Sequence, residues 1–266
     1  MNPTRMWLPL AAVLVLAGCG KEEVAAKPEA TIAPTSTALV AARPATLEAR
    51  KLVVDPTTSK VDLVMEAPIE KIRGRVYGAA TGDLQVDFMD VSKTTGLITV
   101  DISGLELFQT KADKAGKFGE ETKSDAQNQH ARTWLEISAD TPADVRKQNS
   151  LVQFSIKSIT VAGDKNVAAM KGAERRVKLK ATGDFLLHGH KTEKTVDLDA
   201  TFKFDGDKPV SVTVKTAEPF VVGLAEHEVK PRDAFGKLAQ KTLEALSPKV
   251  TKDAKVSIEY TAKVPR

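Results

Sequence analysis

Apolar and polar side chains alternate along segment after segment of this sequence. In Leu84-Gln85-Val86-Asp87-Phe88 the apolar residues share one face, and Val177-Lys178-Leu179-Lys180-Ala181 repeats the pattern. Val196-Asp197-Leu198-Asp199-Ala200-Thr201-Phe202-Lys203-Phe204 is the longest case, followed by Val210 to Val214 and Val256 to Tyr260. Successive side chains of a strand point to opposite faces, so each segment has one dry face and one wet face. Antiparallel sheets read this way, whereas parallel sheets are covered on both faces. Turn signals fall at Asp55-Pro56, Thr81-Gly82-Asp83, Gly104, Gly189 and Asp205-Gly206-Asp207-Lys208-Pro209. The pattern predicts about nine or ten strands. The fold class is all-β, an antiparallel barrel or sandwich.

Two stretches break the alternation. Phe118 to Ala131 is rich in Glu, Gln, Asn and Ala and predicts a polar helix. Asp233 to Leu246 predicts an amphipathic one, with Phe235, Leu238, Ala239, Thr242, Leu243 and Leu246 on a single stripe. Asp233 stands at the N-cap position and Pro248 follows the end. That stripe either packs on the sheet or forms a lid over a barrel mouth.

The N-terminus has the pattern of an export signal. Arg5 supplies positive charge, Leu8 to Ala17 is apolar apart from Pro9, and small residues follow. The run of about ten residues is too short to span a bilayer, which takes roughly 20. Leu16-Ala17-Gly18-Cys19 resembles the lipobox of bacterial lipoproteins, in which cleavage precedes the cysteine. The resemblance implies a signal peptide over 1–18, a diacylglycerol thioether on Cys19 and a further acyl chain on its amino group. Several chains are needed because one alone binds membrane only reversibly. Cys19 is the only cysteine, so no intrachain disulfide can form. Gly20 in place of aspartate favours the outer over the inner membrane of a bacterial envelope, with the protein facing the periplasm. Residues 19–50 are rich in Ala, Pro, Thr and Glu, carry Pro28, Pro34 and Pro44, and lack aromatics. They read as a flexible tether. Residues 51–266 form one large β domain.

The formal charge is +4, but the lysines are scattered among acidic residues. This is a mixed solvated surface, not a nucleic-acid stripe, and a basic face meeting anionic lipid is the alternative.

Four segments in order resemble the YceI-like family. They are Val54-Asp55-Pro56-Thr57-Thr58-Ser59-Lys60-Val61; Ile72-Arg73-Gly74-Arg75-Val76 with Gly82-Asp83-Leu84; Ala181-Thr182-Gly183-Asp184-Phe185-Leu186-Leu187-His188-Gly189 with its partner Val196 to Phe202; and Pro231-Arg232-Asp233-Ala234-Phe235-Gly236. The sequence departs from the family at His130 to Ile137, where a Phe-Asp-x-x-x-Tyr-Pro stretch is usual, and at the extra Ala234. The resemblance implies a lipocalin-like antiparallel β-barrel of about eight or more strands, with one or two accessory helices and an elongated apolar interior. Some members of the family are similar to carriers of polyisoprenoid chains such as prenyl diphosphates or quinones.

On that reading Phe88, Trp134, Phe154, Phe185 and Phe202 are candidates for the ligand-lining wall, each taken as an inward residue of a strand-like segment. Packed core is their alternative role. Arg232 with Lys230 is the candidate headgroup site, since arginine pairs bidentately with phosphate. Its alternative is an ion pair of Arg232 with Asp233 or Glu228. His188-Gly189-His190 could place two imidazoles on one face of a strand. Gly189 is expected to end the strand and turn the second histidine away, and His130 and His227 are distant in sequence, so no metal site is expected. There is no Gly-x-Ser-x-Gly elbow and no phosphate-cradling glycine loop. No catalytic residue, enzyme activity or cofactor is expected. The partners implied are an isoprenoid or other apolar lipid and, through the anchor, a membrane, with no nucleic acid and no defined oligomeric state. The rivals are an interaction lipoprotein with a packed barrel, and an enzyme if His188, His190 or Arg232 converge.

Overall fold

A computed structural model describes residues 31–32, 38–41, 46–67, 70–230 and 252–265. Cys19, the signal segment, Arg232 and the helix expected over Asp233 to Leu246 lie outside the described residues. The strands are β1 (Thr31–Ile32), β2 (Arg50–Ala67), β3 (Glu70–Tyr77), β4 (Ala80–Val86), β5 (Thr95–Asp101), β6 (Glu106–Lys111), β7 (Thr122–Lys123), β8 (Leu151–Ala162), β9 (Glu174–Leu187), β10 (His190–Asp205), β11 (Lys208–Thr216), β12 (Phe220–Gly223) and β13 (Asp253–Lys263). Helices α1 (Asp125–Trp134) and α2 (Ala143–Asn149) lie between β7 and β8.

Eight strands form a closed antiparallel ring in the order β2, β4, β5, β8, β9, β10, β11, β13, with β13 pairing back onto β2. The alternation left a barrel or a sandwich open, and the fold is the all-β barrel that the family resemblance implies. Beyond the ring, β3 and β6 continue the wall beside the upper half of β2, and β12 flanks β13.

Strand β2 serves two neighbours because it is bulged. Arg50 to Val53 pair with β4, and Lys60 to Ala67 pair with β3. Between them Asp55 Oδ1 accepts from the Thr57 amide at 3.1 Å, and Ser59 Oγ donates to the Pro56 carbonyl at 2.7 Å. Ser59, almost fully buried, also accepts from the Ala80 amide at 3.0 Å, which ties the bulge to the start of β4. The Asp55-Pro56 signal therefore marks a bulge inside a strand, not a chain reversal.

Thr81-Gly82-Asp83 is also mid-strand. The chain does not reverse between β3 and β4, which run in the same direction one after the other along β2, and Gly82 (φ +140°) is needed because β5 crowds it: a Cβ there would lie 2.0 Å from the Leu97 carbonyl oxygen. The polar helix starts later than predicted, at Asp125, where the N-cap Ser124 accepts from the Gln127 amide. Asn128, buried in that helix, accepts from the Leu107 amide at 2.9 Å and donates to the Leu107 carbonyl at 3.1 Å. One amide side chain thus docks α1 onto β6 as another strand would.

One end of the barrel is plugged. Phe88 packs edge-to-face on Phe202 and Phe204 at centroid distances of 5.9 and 5.8 Å. The Arg175 guanidinium lies over Phe204 and donates to the carbonyls of Val167 (2.8 Å) and Ala168 (2.9 Å). The other end carries α1, the β9–β10 turn and the Ala225–His227 turn. Part of the stretch read as a tether touches the barrel: β1 pairs with the start of β10, the Leu39 amide donates to Gln153 Oε1 at 2.8 Å, and Ser155 Oγ donates to the Val40 carbonyl at 3.0 Å.

Gly82→Ala should destabilise the protein by more than about 2 kcal/mol, since it combines backbone strain with a collision against β5. Urea unfolding would show it as a lower midpoint at constant slope; an unchanged midpoint would contradict this account of the β4–β5 contact.

Candidate functional site

The inward residues of the ring do not meet at the barrel axis. They enclose a cavity of about 470 Å3, within the range of ligand pockets. Its wall is almost wholly aliphatic and aromatic. Val61, Leu63, Ile72, Leu198, Val256 and Ile258 point inward yet are only partly buried, because they face this space and not another side chain. Among the described residues no lysine or arginine lines it. Glu70, Gln127 and His130 bring polar groups to the wall where α1 covers it, and Gln127 Nε2 donates to Glu70 Oε1 at 3.1 Å.

Of the five aromatic candidates, Trp134, Phe154, Phe185 and Phe202 line the cavity. Trp134 does so from the last turn of α1, not from a strand, with its ring stacked on His130 at 5.8 Å. Phe88 does not line it. It follows the end of β4 and is consumed by the plug, so an alternation extended two residues past Val86 misassigned it. Lys230 is exposed and follows the wall residue Val229, while its proposed companion Arg232 is outside the described residues. The aliphatic majority of the wall was absent from the candidates, although the inward register of β2, β10 and β13 contains it.

The histidines depart furthest from expectation. His190 is not turned away, and His227 is not remote. His188 and Gly189 both have positive φ (52° and 75°) and make a two-residue hairpin turn. The rings of His188 and His190 stack at 6.1 Å. His188 Nδ1 donates to the His227 carbonyl at 3.0 Å, and its Nε2 lies 3.0 Å from Glu136 Oε2. Glu136, His188 and Glu228 are the non-glycine residues of positive φ among the described residues, and all three lie in this cluster. The contacts join the end of α1 to the β9–β10 turn beside the cavity. Among the described residues no three His, Cys, Asp or Glu side chains stand in metal-ligand geometry.

His227 is fully buried, with Phe185 edge-on to its ring at 5.4 Å. Its Nδ1 donates to the His190 carbonyl at 3.0 Å, and its Nε2 accepts from the Thr192 hydroxyl at 3.4 Å. A neutral ring satisfies both contacts. Burial disfavours the imidazolium and lowers its pKa to about 4.

No protein-family model matches the chain, and no curated protein matches it. Solved structures similar to it include the following. A polyisoprenoid-binding domain from Saccharophagus degradans, implicated in plant cell wall breakdown, is 14% identical, with 80% of this chain and 98% of that chain covered and a TM-score of 0.45. BcnA of Burkholderia cenocepacia is 16% identical, with 79% and 99% covered and a TM-score of 0.44. A YceI protein of Campylobacter jejuni is 14% identical, with 73% and 85% covered and a TM-score of 0.39.

The His227 ring sets a pH dependence. Its folded pKa, about 4, lies below the ordinary value of 6.5, so below pH 6.5 the unfolded chain takes up a proton that the folded chain refuses. Stability from this group is present above pH 6.5 and is lost as pH falls towards 4, by about 3 kcal/mol in all. Urea unfolding between pH 7 and pH 4.5 should fall less steeply for His227→Gln than for the wild type; parallel curves would refute the assignment.

Proposed function

We propose that the protein binds one apolar lipid chain, of isoprenoid type, inside the barrel and holds it next to a membrane through lipid on Cys19. The observation that carries the reading is the cavity of about 470 Å3 with its nearly unbroken hydrocarbon wall. Each 100 Å2 of chain surface moved from water into such a wall contributes about 2.5 kcal/mol. A barrel of this strand number can hold one small ligand. With the far end plugged by Phe88, Phe202 and Phe204, a chain enters at the end covered by α1, where Glu70, Gln127 and His130 can meet any polar group left at the mouth. A charged headgroup stays at that end, because an unpaired charge deep in the apolar wall would be strongly disfavoured. The lipobox-like Leu16 to Cys19 supports envelope location, with the barrel facing the periplasm and the outer membrane favoured.

The competing reading is an interaction protein with a packed barrel. Leu198→Trp separates the two. Leu198 is a half-buried wall residue, so tryptophan has room and should cost little stability, while affinity for a long-chain probe falls at least about tenfold; a packed interior would lose about 1–3 kcal/mol of stability instead. Native mass spectrometry of protein purified from its own host should show a bound lipid, and a barrel that is always empty would defeat the proposal. Mass spectrometry of the mature N-terminus should find Cys19 acylated, and a free thiol there would remove the anchor.

A further inference from the structure

The cavity wall is not uniformly inert. On β13 the inward residues are Ala254, Val256, Ile258, Tyr260 and Ala262. Tyr260 is 6% exposed and lines the cavity. Its hydroxyl makes no hydrogen bond with any of the described residues, yet it is not sealed in protein, for no side-chain oxygen or nitrogen shut away among them lacks a partner. The hydroxyl therefore opens onto the cavity itself. Its strand neighbours on the same face, Ile258 and Ala262, and its cross-strand partner Val214 are aliphatic and offer it nothing. An ordered water in such a place would want two to four polar partners.

Depth matters here. From Asp253 at the helix end to Tyr260 is about 23 Å of strand. Tyr260 thus stands towards the plug, far from Glu70, Gln127 and His130. The same half of the wall holds the hydroxyl of Thr94, which follows the turn beside the plug. Burial raises the phenol above its usual pKa, so it remains a proton donor across the physiological range.

We propose that Tyr260 is the internal recognition residue of the cavity, and that the ligand carries an uncharged oxygen acceptor, of ketone, quinone or ester type, which it inserts towards the plug to receive the Tyr260 hydrogen bond. A plain hydrocarbon would leave the hydroxyl buried and unpaired. An anion would find no lysine or arginine there. This rests on the reading that the cavity holds an apolar chain, and narrows the chemistry of that chain.

The test uses the delipidated full chain and two probes, a long-chain methyl ketone and the alkane of equal carbon number, each competing with a solvatochromic naphthalene dye. Wild type should prefer the ketone by roughly three- to tenfold, the yield of one net hydrogen bond. Tyr260→Phe keeps the ring and should erase that preference while binding the alkane as well as or better than wild type. Infrared spectra of wild type with bound ketone should show a carbonyl stretch at lower frequency than in hexane, a reading that needs no variant to fold. Equal affinity for both probes in wild type, or an unshifted carbonyl, overturns the Tyr260 assignment and leaves chain binding intact. Failure of wild type to bind either probe overturns both.

Discussion

The pairing of β13 with β2 makes this sheet a vessel. Without it the ring would open, and the inward side chains of β2 and β13 would face water. The two strands lie almost at opposite ends of the described chain, so their pairing is long-range and carries a loop-closure cost that local contacts do not. It is reinforced from outside. Lys263 donates to Asp55 Oδ2 at 2.6 Å, holding that carboxyl down to about 2, and Lys255 pairs with Glu66 further along the seam. The Thr261 amide, displaced by the bulge, is taken up by the Thr58 hydroxyl at 3.0 Å. The bulge that splits β2 between two neighbours is thus accommodated at the seam where the barrel shuts.

The two ends of the vessel are built on opposite principles. The plug is a cluster of aromatic rings organised by a buried arginine, whose hydrogen bonds run to main-chain carbonyls. Its guanidinium therefore gathers the loop between β8 and β9, whose main chain also bonds to Phe88, Val91 and Phe204. The helix end is polar and backbone-strained, with the three non-glycine residues of positive φ among the described residues gathered around His188 and His190. Strain of this kind persists where surrounding contacts over-determine it, and here they fasten α1 to the β9–β10 turn.

Most strands were legible because each has one wet and one dry face, and the period of two survives in β9, β10 and β13 whatever lies inside the barrel; in β11 it holds from Val212 onward, while a bulge leaves Val210 exposed. What alternation cannot say is whether the dry face meets another side chain or a void. Leu198 and Phe204 lie on the same inward face of β10, yet one faces the cavity and the other the plug. Phe88 was misplaced for a similar reason, since the strand ends before it. Glycine and proline misled at Gly82 and Asp55-Pro56, where their tolerance for close approach and bulging mattered more than their tolerance for turning. The histidine cluster was invisible because it joins residues from β10, from two turns and from just beyond α1. Tyr260 was visible as an inward residue, but the want of a partner for its hydroxyl is a property of three dimensions.

The short pairing of β1 with β10 changes the mechanics of an anchored barrel. Thr31 and Ile32 lie against Lys191 and His190, at the helix end of the molecule. A leash that began at residue 50 could span on the order of 100 Å from Cys19, whereas one gripped at Thr31 spans at most roughly 40 Å when fully drawn out. For a lipid on Cys19, that grip sets not only how far the barrel can wander but which way it faces. Under the proposal of a Cys19 anchor and a chain-binding cavity, the leash would pull towards the bilayer the end through which the chain is proposed to pass.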